Sequence, residues 1–216
     1  MQPKEHWENV YTTKSPNAIS WFQEHAALSL QFIKSCAPHT NAAIIDVGGG
    51  ASTLVDDLIN ANYSNMSVLD ISAAALEVAR QRLKQKSGSV RWIVGDITSV
   101  TLSENHYDIW HDRAVFHFLT DEKDRQCYVA QLTKALKPGG QLIISTFAEK
   151  GPQQCSSLPV VRYSPEGMQT EFGNAFVLQE HTFETHITPF ETQQEFVYCR
   201  FIKSENQSLS PECVPQ

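Results

Sequence analysis

The chain has no CxxC pair and only five cysteines, an odd number scattered from Cys36 to Cys213. That pattern excludes a structural zinc site of the usual ligand spacing and argues against a disulfide framework. A reducing, cytoplasmic setting is therefore expected. There is no basic excess either. Seventeen Lys and Arg face 24 Asp and Glu, and the net charge is −7. A nucleic-acid binder would show a basic patch, so none is expected as a partner. No apolar run approaches the ~18 residues of a membrane span. The N-terminus lacks a signal-peptide pattern, and no segment repeats. What remains is 216 residues of one large domain, long enough to bury a substantial core. It is expected to be a monomer or a weak homo-oligomer.

What is present is organised around Asn41–Leu54, NAAIIDVGGGASTL. A short apolar run ends in Asp46 and three successive glycines, Gly48 to Gly50. A helix pattern follows at Leu54, Val55, Leu58 and Ile59. This reads as buried strand, glycine turn and helix N-terminus. Glycine lets a ligand approach the backbone, and the helix start offers free N–H groups with a partial positive charge. A dinucleotide fingerprint needs a third glycine, but Thr53 stands there. Asp46 is also awkward for a pyrophosphate and suits a positively charged guest.

Two further short strands end in acids. Asn65–Leu69 runs into Asp70, placed where a carboxylate can accept both hydroxyls of a ribose. Val90–Val94 runs into Gly95, Asp96 and Ile97, where an acid can accept an exocyclic amine and Ile97 can pack on a ring. In an open α/β sheet, ligands bind outside the carboxyl ends of the strands. Asp46, Asp70 and Asp96 therefore converge on one site.

Tyr107–Leu119 reads as a fourth strand whose exit carries His111, Asp112, Arg113 and His117. Asp121–Leu136 reads as a helix, stopped by Lys137-Pro138-Gly139-Gly140 ahead of a fifth strand, Gln141–Phe147. Ala148–Tyr163 is a long irregular connection at the same sheet edge, and such loops usually carry function. It offers Cys155, Arg162 and Tyr163 as substrate contacts. Ser164 and Pro165 start a short helix. Phe176–Phe183 and Glu195–Ile202 read as an antiparallel hairpin, with His186 in its connection. Ahead of the first strand, Trp7, Tyr11 and Trp21 mark an aromatic segment, and a helix is expected from Ser20 onward. Lys203–Gln216 is polar without periodicity and is expected to be disordered.

Asp46-Val47-Gly48-Gly49-Gly50 resembles motif I, D-x-G-x-G, of the class I S-adenosylmethionine (SAM) methyltransferases. The stretch HWENVYTTKSPNAISWFQ is similar to the N-terminal lid of several small families in that class. The Leu-Lys-Pro-Gly-Gly passage is shared widely within it, and HDRAVFHFLTD resembles a group of small bacterial methyltransferases. The resemblance implies an α/β, Rossmann-like seven-stranded sheet of order 3-2-1-4-5-7-6, with strand 7 antiparallel and helices on both faces. It implies a lid over residues 1–36, a SAM-binding domain over 37–203 and a tail over 204–216. The cofactor would be SAM and the product S-adenosylhomocysteine.

On that reading Trp7, Tyr11 and Trp21 close over the cofactor. The glycine turn would contribute Asp46, Gly48, Gly50, Ser52 and Thr53. The later strand ends would contribute Asp70, Ile71, Asp96, Ile97 and His111. Asp112, Arg113 and His117 stand where the class keeps motif IV, beside the transferable methyl, and are the catalytic candidates. Cys155, Arg162, Tyr163 and His186 are the substrate candidates. Sulfonium chemistry demands no metal. The expected acceptor is a small molecule, with sulfur as its receiving atom. Protein-lysine methylation and a non-catalytic SAM-binding role stand as alternatives. The lysine enzymes carry an Asp-Lys-Gly-Thr-like motif IV, where this chain has His111-Asp112-Arg113-Ala114.

Overall fold

The computed structural model describes residues 3–37 and 39–205. The last eleven residues of the expected tail lie outside that range. In chain order the elements are α1 (Pro3–Thr13), α2 (Ala27–Cys36), β1 (Ile44–Val47), α3 (Leu54–Asn60), β2 (Met66–Asp70), α4 (Ala73–Leu83) and β3 (Val90–Val94). They continue with β4 (Tyr107–Arg113), α5 (Glu122–Ala135), β5 (Leu136–Phe147), β6 (Gln154–Cys155), β7 (Leu158–Pro159), α6 (Pro165–Phe172), β8 (Phe176–Ile187) and β9 (Gln193–Lys203). Seven strands form one sheet in the order β3-β2-β1-β4-β5-β9-β8. The β6–β7 ribbon stands apart. With it set aside, this is the expected order. Only β9 runs antiparallel, to both β5 and β8.

The order follows from alternating strands and helices. Chain progress runs outward from β1 to β3, then restarts on the other side of β1 at β4. That reversal leaves a crevice at the strand C-terminal ends between β1 and β4. All four residues of β1 are buried, because helices cover both faces and no face meets water. Ile44 and Ile109 point into one core with Phe32 and Leu54. Ile45 and Trp110 point into the other with Tyr128 and Leu132. Trp110 is fully buried and satisfies its indole N–H on the Tyr128 hydroxyl at 2.9 Å. Truncating such an aromatic to Ala typically costs about 3–5 kcal/mol.

Local signals account for the helix starts. Ser72 accepts from the Ala75 N–H at 3.1 Å and caps α4. Asp121 accepts from Lys123 N–H and Ser164 from Gly167 N–H, capping α5 and α6. Three details differ from the sequence reading. The first helix expected from Ser20 begins only at Ala27, and Trp21 and Phe22 lie in an irregular turn. A helix at residues 3–13 was not foreseen. The fifth strand starts at Leu136, which pairs with Tyr107; Lys137–Gly140 then bulge out, with Gly139 at φ +72°, before pairing with β4 resumes at Gln141. Ser156 and Ser157 both have positive φ, the requirement of a two-residue hairpin turn, and they fold Ala148–Tyr163 back as β6–β7.

Candidate functional site

The glycine turn after β1 closes tightly on two acids. Gly48 has φ +68° and Gly50 φ +31°, a region that favours glycine. A Cβ on Gly49 would lie 2.4 Å from an Asp46 oxygen, and one on Gly50 would lie 2.6 Å from an Asp70 oxygen. The turn is bare so that carboxylates from β1 and β2 can press against it. Above it opens a cavity of about 430 Å³. Its walls include Gly48, Asp70, Ile71, Asp96, Ile97, Arg113 and Cys155. Trp7, Tyr11 and Trp21 also line it. A recess of about 50 Å³ adjoins it and shares Tyr11, Trp21, Gly48 and Arg113; Asp46, Ser52, Thr53 and His111 line it as well.

The acids there are short of partners. Asp70 accepts the Ser72 N–H at 2.8 Å. Burial, with the Asp46 and Glu8 charges nearby, pushes its carboxyl up to about 7. Asp96 accepts from the Thr98 N–H and hydroxyl at 2.9 and 2.7 Å. Asp46 Oδ1 lies 2.7 Å from His111 Nδ1, but the buried Oδ2 has no hydrogen-bond partner among the described residues. Such a group costs free energy until a donor arrives. A pyrophosphate would be repelled here. A guest with an ammonium, a ribose diol and an exocyclic amine would satisfy all three carboxylates, so the residues present fit an adenosyl-sulfonium cofactor.

The roof belongs to α1. Trp7 and Tyr11 stand four residues apart on one helix face. Trp7 meets Trp21 and Phe118 edge-on at ring separations of 5.6 and 5.1 Å. Trp21 donates its indole N–H to the Tyr11 hydroxyl at 3.2 Å. Glu8 fastens the helix from the outside. It accepts from Ala73 N–H at 2.7 Å, and from Ala74 N–H and the Ser72 hydroxyl at 3.2 Å each. Its carboxylate thereby meets the positive end of α4.

A family model described as "Methyltransferase domain" matches residues 44–140, from the start of β1 through the Pro-Gly-Gly passage. Over those residues the chain carries the methyltransferase domain of the class I SAM-dependent methyltransferases. Among relatives, the ubiquinone/menaquinone biosynthesis C-methyltransferase UbiE of Shewanella halifaxensis is 24% identical over 137 residues. The match covers 62% of this chain and 53% of that one, so the chain spans about half the length of that relative. The zebrafish (Danio rerio) EEF1A lysine methyltransferase 2 is 25% identical over 157 residues, covering 66% and 67%. Among solved structures, the N-methyltransferase NodS of Bradyrhizobium japonicum WM9, in complex with S-adenosylhomocysteine, superposes with a TM-score of 0.70. Identity is 17% and coverage 93% and 97%. A chain solved in work on the conversion of a disulfide bond into a thioacetal group during echinomycin biosynthesis gives 0.76, at 18% identity and 95% and 94% coverage.

Six residues expected at the site line neither hollow: Gly50, whose backbone is pressed against the Asp70 carboxylate, and five side chains that have partners elsewhere. Asp112 is fully buried and accepts from the Tyr128 hydroxyl at 2.7 Å and from the Val115 and Phe116 amides. It anchors the turn after β4 and does not face an acceptor. Burial still pushes its carboxyl up to about 6. His117 is fully buried too; Nδ1 accepts from the Phe147 N–H at 3.3 Å, and burial pulls its pKa down to about 3. Tyr163 packs on Phe116 inside the core. Arg162 donates to the Gly151 carbonyl at 3.2 Å. His186 donates from Nε2 to the Ser20 carbonyl at 2.8 Å, so it braces the turn that carries Trp21. Of the catalytic and substrate candidates, only Arg113 and Cys155 line the cavity. Burial pushes the Cys155 thiol up to about 11.

Phe118, Leu119, Asp124 and Thr98 line the cavity without having been singled out. Phe118 and Leu119 fall within the quoted HDRAVFHFLTD stretch but read as core. Glu8 was missed because HWENVY reads as polar chain until Trp7 and Tyr11 are seen as a helical i, i+4 pair.

Proposed function

We propose that this protein transfers the methyl group of SAM to a small-molecule acceptor, with a thiol or sulfide sulfur as the receiving atom. The observation that carries the reading is the roofed cavity with its adjoining recess, whose walls together carry three strand-end acids and an aromatic lid. Asp70 would accept the ribose hydroxyls and Asp96 the adenine amine, with Ile71 and Ile97 against the ring. Asp46 would take the ammonium through its unpartnered oxygen. SAM bound there supplies an electrophilic methyl group on a sulfonium. The protein's part is to hold an acceptor in line with it and to keep water out, and orientation of this kind can supply several kcal/mol of the barrier. Trp7, Tyr11 and Trp21 line the cavity, and aromatic rings can attract a cation. Asp112 and His117 are turned into the core, and the Cys155 thiol stays protonated at neutral pH. An acceptor that needs little help losing a proton fits this wall. Sulfur qualifies: a free thiol has a pKa near ~8.5, and a sulfide carries no proton to lose.

A closed aromatic roof also suits a small acceptor better than a protein chain. The test is transfer of labelled methyl from SAM to thiols, sulfides, amines and a cell lysate. Label on small sulfur compounds supports the proposal. Label on lysines of lysate proteins overturns the acceptor class, and binding of NAD in place of SAM overturns the reading as a whole.

A further inference from the structure

Behind the recess, one line of hydrogen bonds joins Arg113 on β4 to Asp46 on β1 by way of α2 and β9. Arg113 Nε donates to Tyr198 Oη at 3.0 Å. Tyr198 Oη lies 3.3 Å from Ser29 Oγ, and Ser29 Oγ lies 2.9 Å from His111 Nε2. His111 Nδ1 lies 2.7 Å from Asp46 Oδ1. The two ends set the direction of the whole line, because a guanidinium only donates and a carboxylate only accepts. Tyr198, receiving from Arg113, gives its hydrogen to Ser29. Ser29 gives its own to His111 Nε2, and the imidazole hydrogen on Nδ1 goes to Asp46. Each hydrogen is used once, and each link polarises the next.

At both ends one buried atom is left over. Asp46 Oδ2 and Arg113 Nη2 have no hydrogen-bond partner among the described residues. Both residues line the same recess. The Arg113 guanidinium rests 4.4 Å above the Phe196 ring and donates from Nη1 to the Trp21 carbonyl at 3.2 Å. Glu184 forms an ion pair with Nη2 at 3.5 Å, too long for a hydrogen bond of good geometry. The recess thus carries on its walls an Asp46 carboxylate with one unpartnered oxygen and the Arg113 guanidinium with one N–H group free of hydrogen bonds, the complement of an α-amino acid end.

We propose that Tyr198, Ser29 and His111 are positioning residues that hold Asp46 and Arg113 as a fixed pair of opposite charges for the zwitterionic methionine end of the cofactor. The inference rests on the SAM reading above and adds what that reading lacks: a grip on the carboxylate, and the reason for a buried tyrosine hydroxyl on β9. Tyr198→Phe removes one hydroxyl while keeping the ring stacked on Phe32. Ser29→Ala cuts the line at its next link.

The experiment is calorimetric titration of wild type and both variants with S-adenosylhomocysteine and with 5′-methylthioadenosine, which lacks the amino-acid end. Affinity of each variant for S-adenosylhomocysteine is expected to fall about fivefold to tenfold, the scale of weakened hydrogen bonds to charged groups. Affinity for methylthioadenosine should change less than about twofold. A merely structural role would weaken both ligands alike, and that result, or an unchanged S-adenosylhomocysteine affinity, overturns the inference while leaving the cofactor reading intact. Wild type that binds neither ligand overturns both. If Tyr198→Phe fails to fold, Ser29→Ala carries the same comparison.

Discussion

Among the strand-end carboxylates, Asp70 bears a measurable cost. Asp70 holds its proton more tightly folded, at about 7, than at its ordinary 3.8. Ionisation therefore lowers stability progressively as pH rises from about 4 to about 7. The variant Asp70→Asn removes that burden. Its melting temperature should exceed wild type at pH 8 by about 2–4 °C for each kcal/mol relieved, and the gain should vanish by pH 4. The same variant should bind S-adenosylhomocysteine at least about tenfold more weakly, because the hydrogen bonds to a charged acceptor are lost. Equal melting temperatures at both pH values would remove the pH argument. Asp112 makes the opposite case. Asp112→Ala leaves the Tyr128 hydroxyl and two amides without their acceptor, so urea titration should record a loss of at least about 2 kcal/mol. The folded fraction should keep its cofactor affinity. A variant of normal stability that cannot transfer methyl would restore Asp112 to the chemistry. Both aspartates read alike as strand-end acids in the sequence. Only the direction of the side chain separates a ligand acceptor from a turn anchor.

At the scale of elements, α1 forms a roof latched by Glu8, with a second polar tie where His6 Nε2 lies 3.1 Å from Ser156 Oγ. Its contacts to the body run mainly through the Trp7 and Tyr11 rings and through Glu8 on the first turn of α4. Glu8→Ala removes a carboxylate that meets three donors and the positive end of a helix. Roofs of this kind set ligand exit rates. The variant should release S-adenosylhomocysteine about tenfold faster, read by stopped-flow fluorescence of Trp7 and Trp21. Unchanged release would assign the roof to some other fastening. The helix itself was illegible in advance because its stabilising partners lie on another element, whereas α3, α4 and α5 each carried a local apolar stripe or cap. The β8–β9 pairing was legible for the same local reason: two apolar runs without a helix between them return as an antiparallel hairpin.

For the whole molecule, one sheet with a core on each face couples the elements into a single unit. No helix among the described residues is long and apolar enough to cross a membrane. Thermal unfolding followed by fluorescence and by far-ultraviolet dichroism should therefore coincide in one transition. S-adenosylhomocysteine at a hundred times its dissociation constant should raise stability by about 2.7 kcal/mol through mass action, and NAD at the same concentration should not. A shift with NAD alone would contradict the way Asp46 and the missing third glycine shape the site.

Local chemistry sufficed for much of this. Apolar runs ending in acids, glycines that free the backbone, and caps that start helices all act within a few residues, so the glycine turn and the strand-end acids could be read directly from the chain, while the strand order came from the resemblance to a known class. The tertiary structure decided what depends on distant partners. Ser29 and Tyr198 meet across 169 residues of sequence, His117 folds its ring against Phe147, and Glu8 reaches α4 from 64 or more residues away. A side chain's periodicity says which face it takes, but whether that face opens on a cavity or on a core depends on what the rest of the chain brings to it.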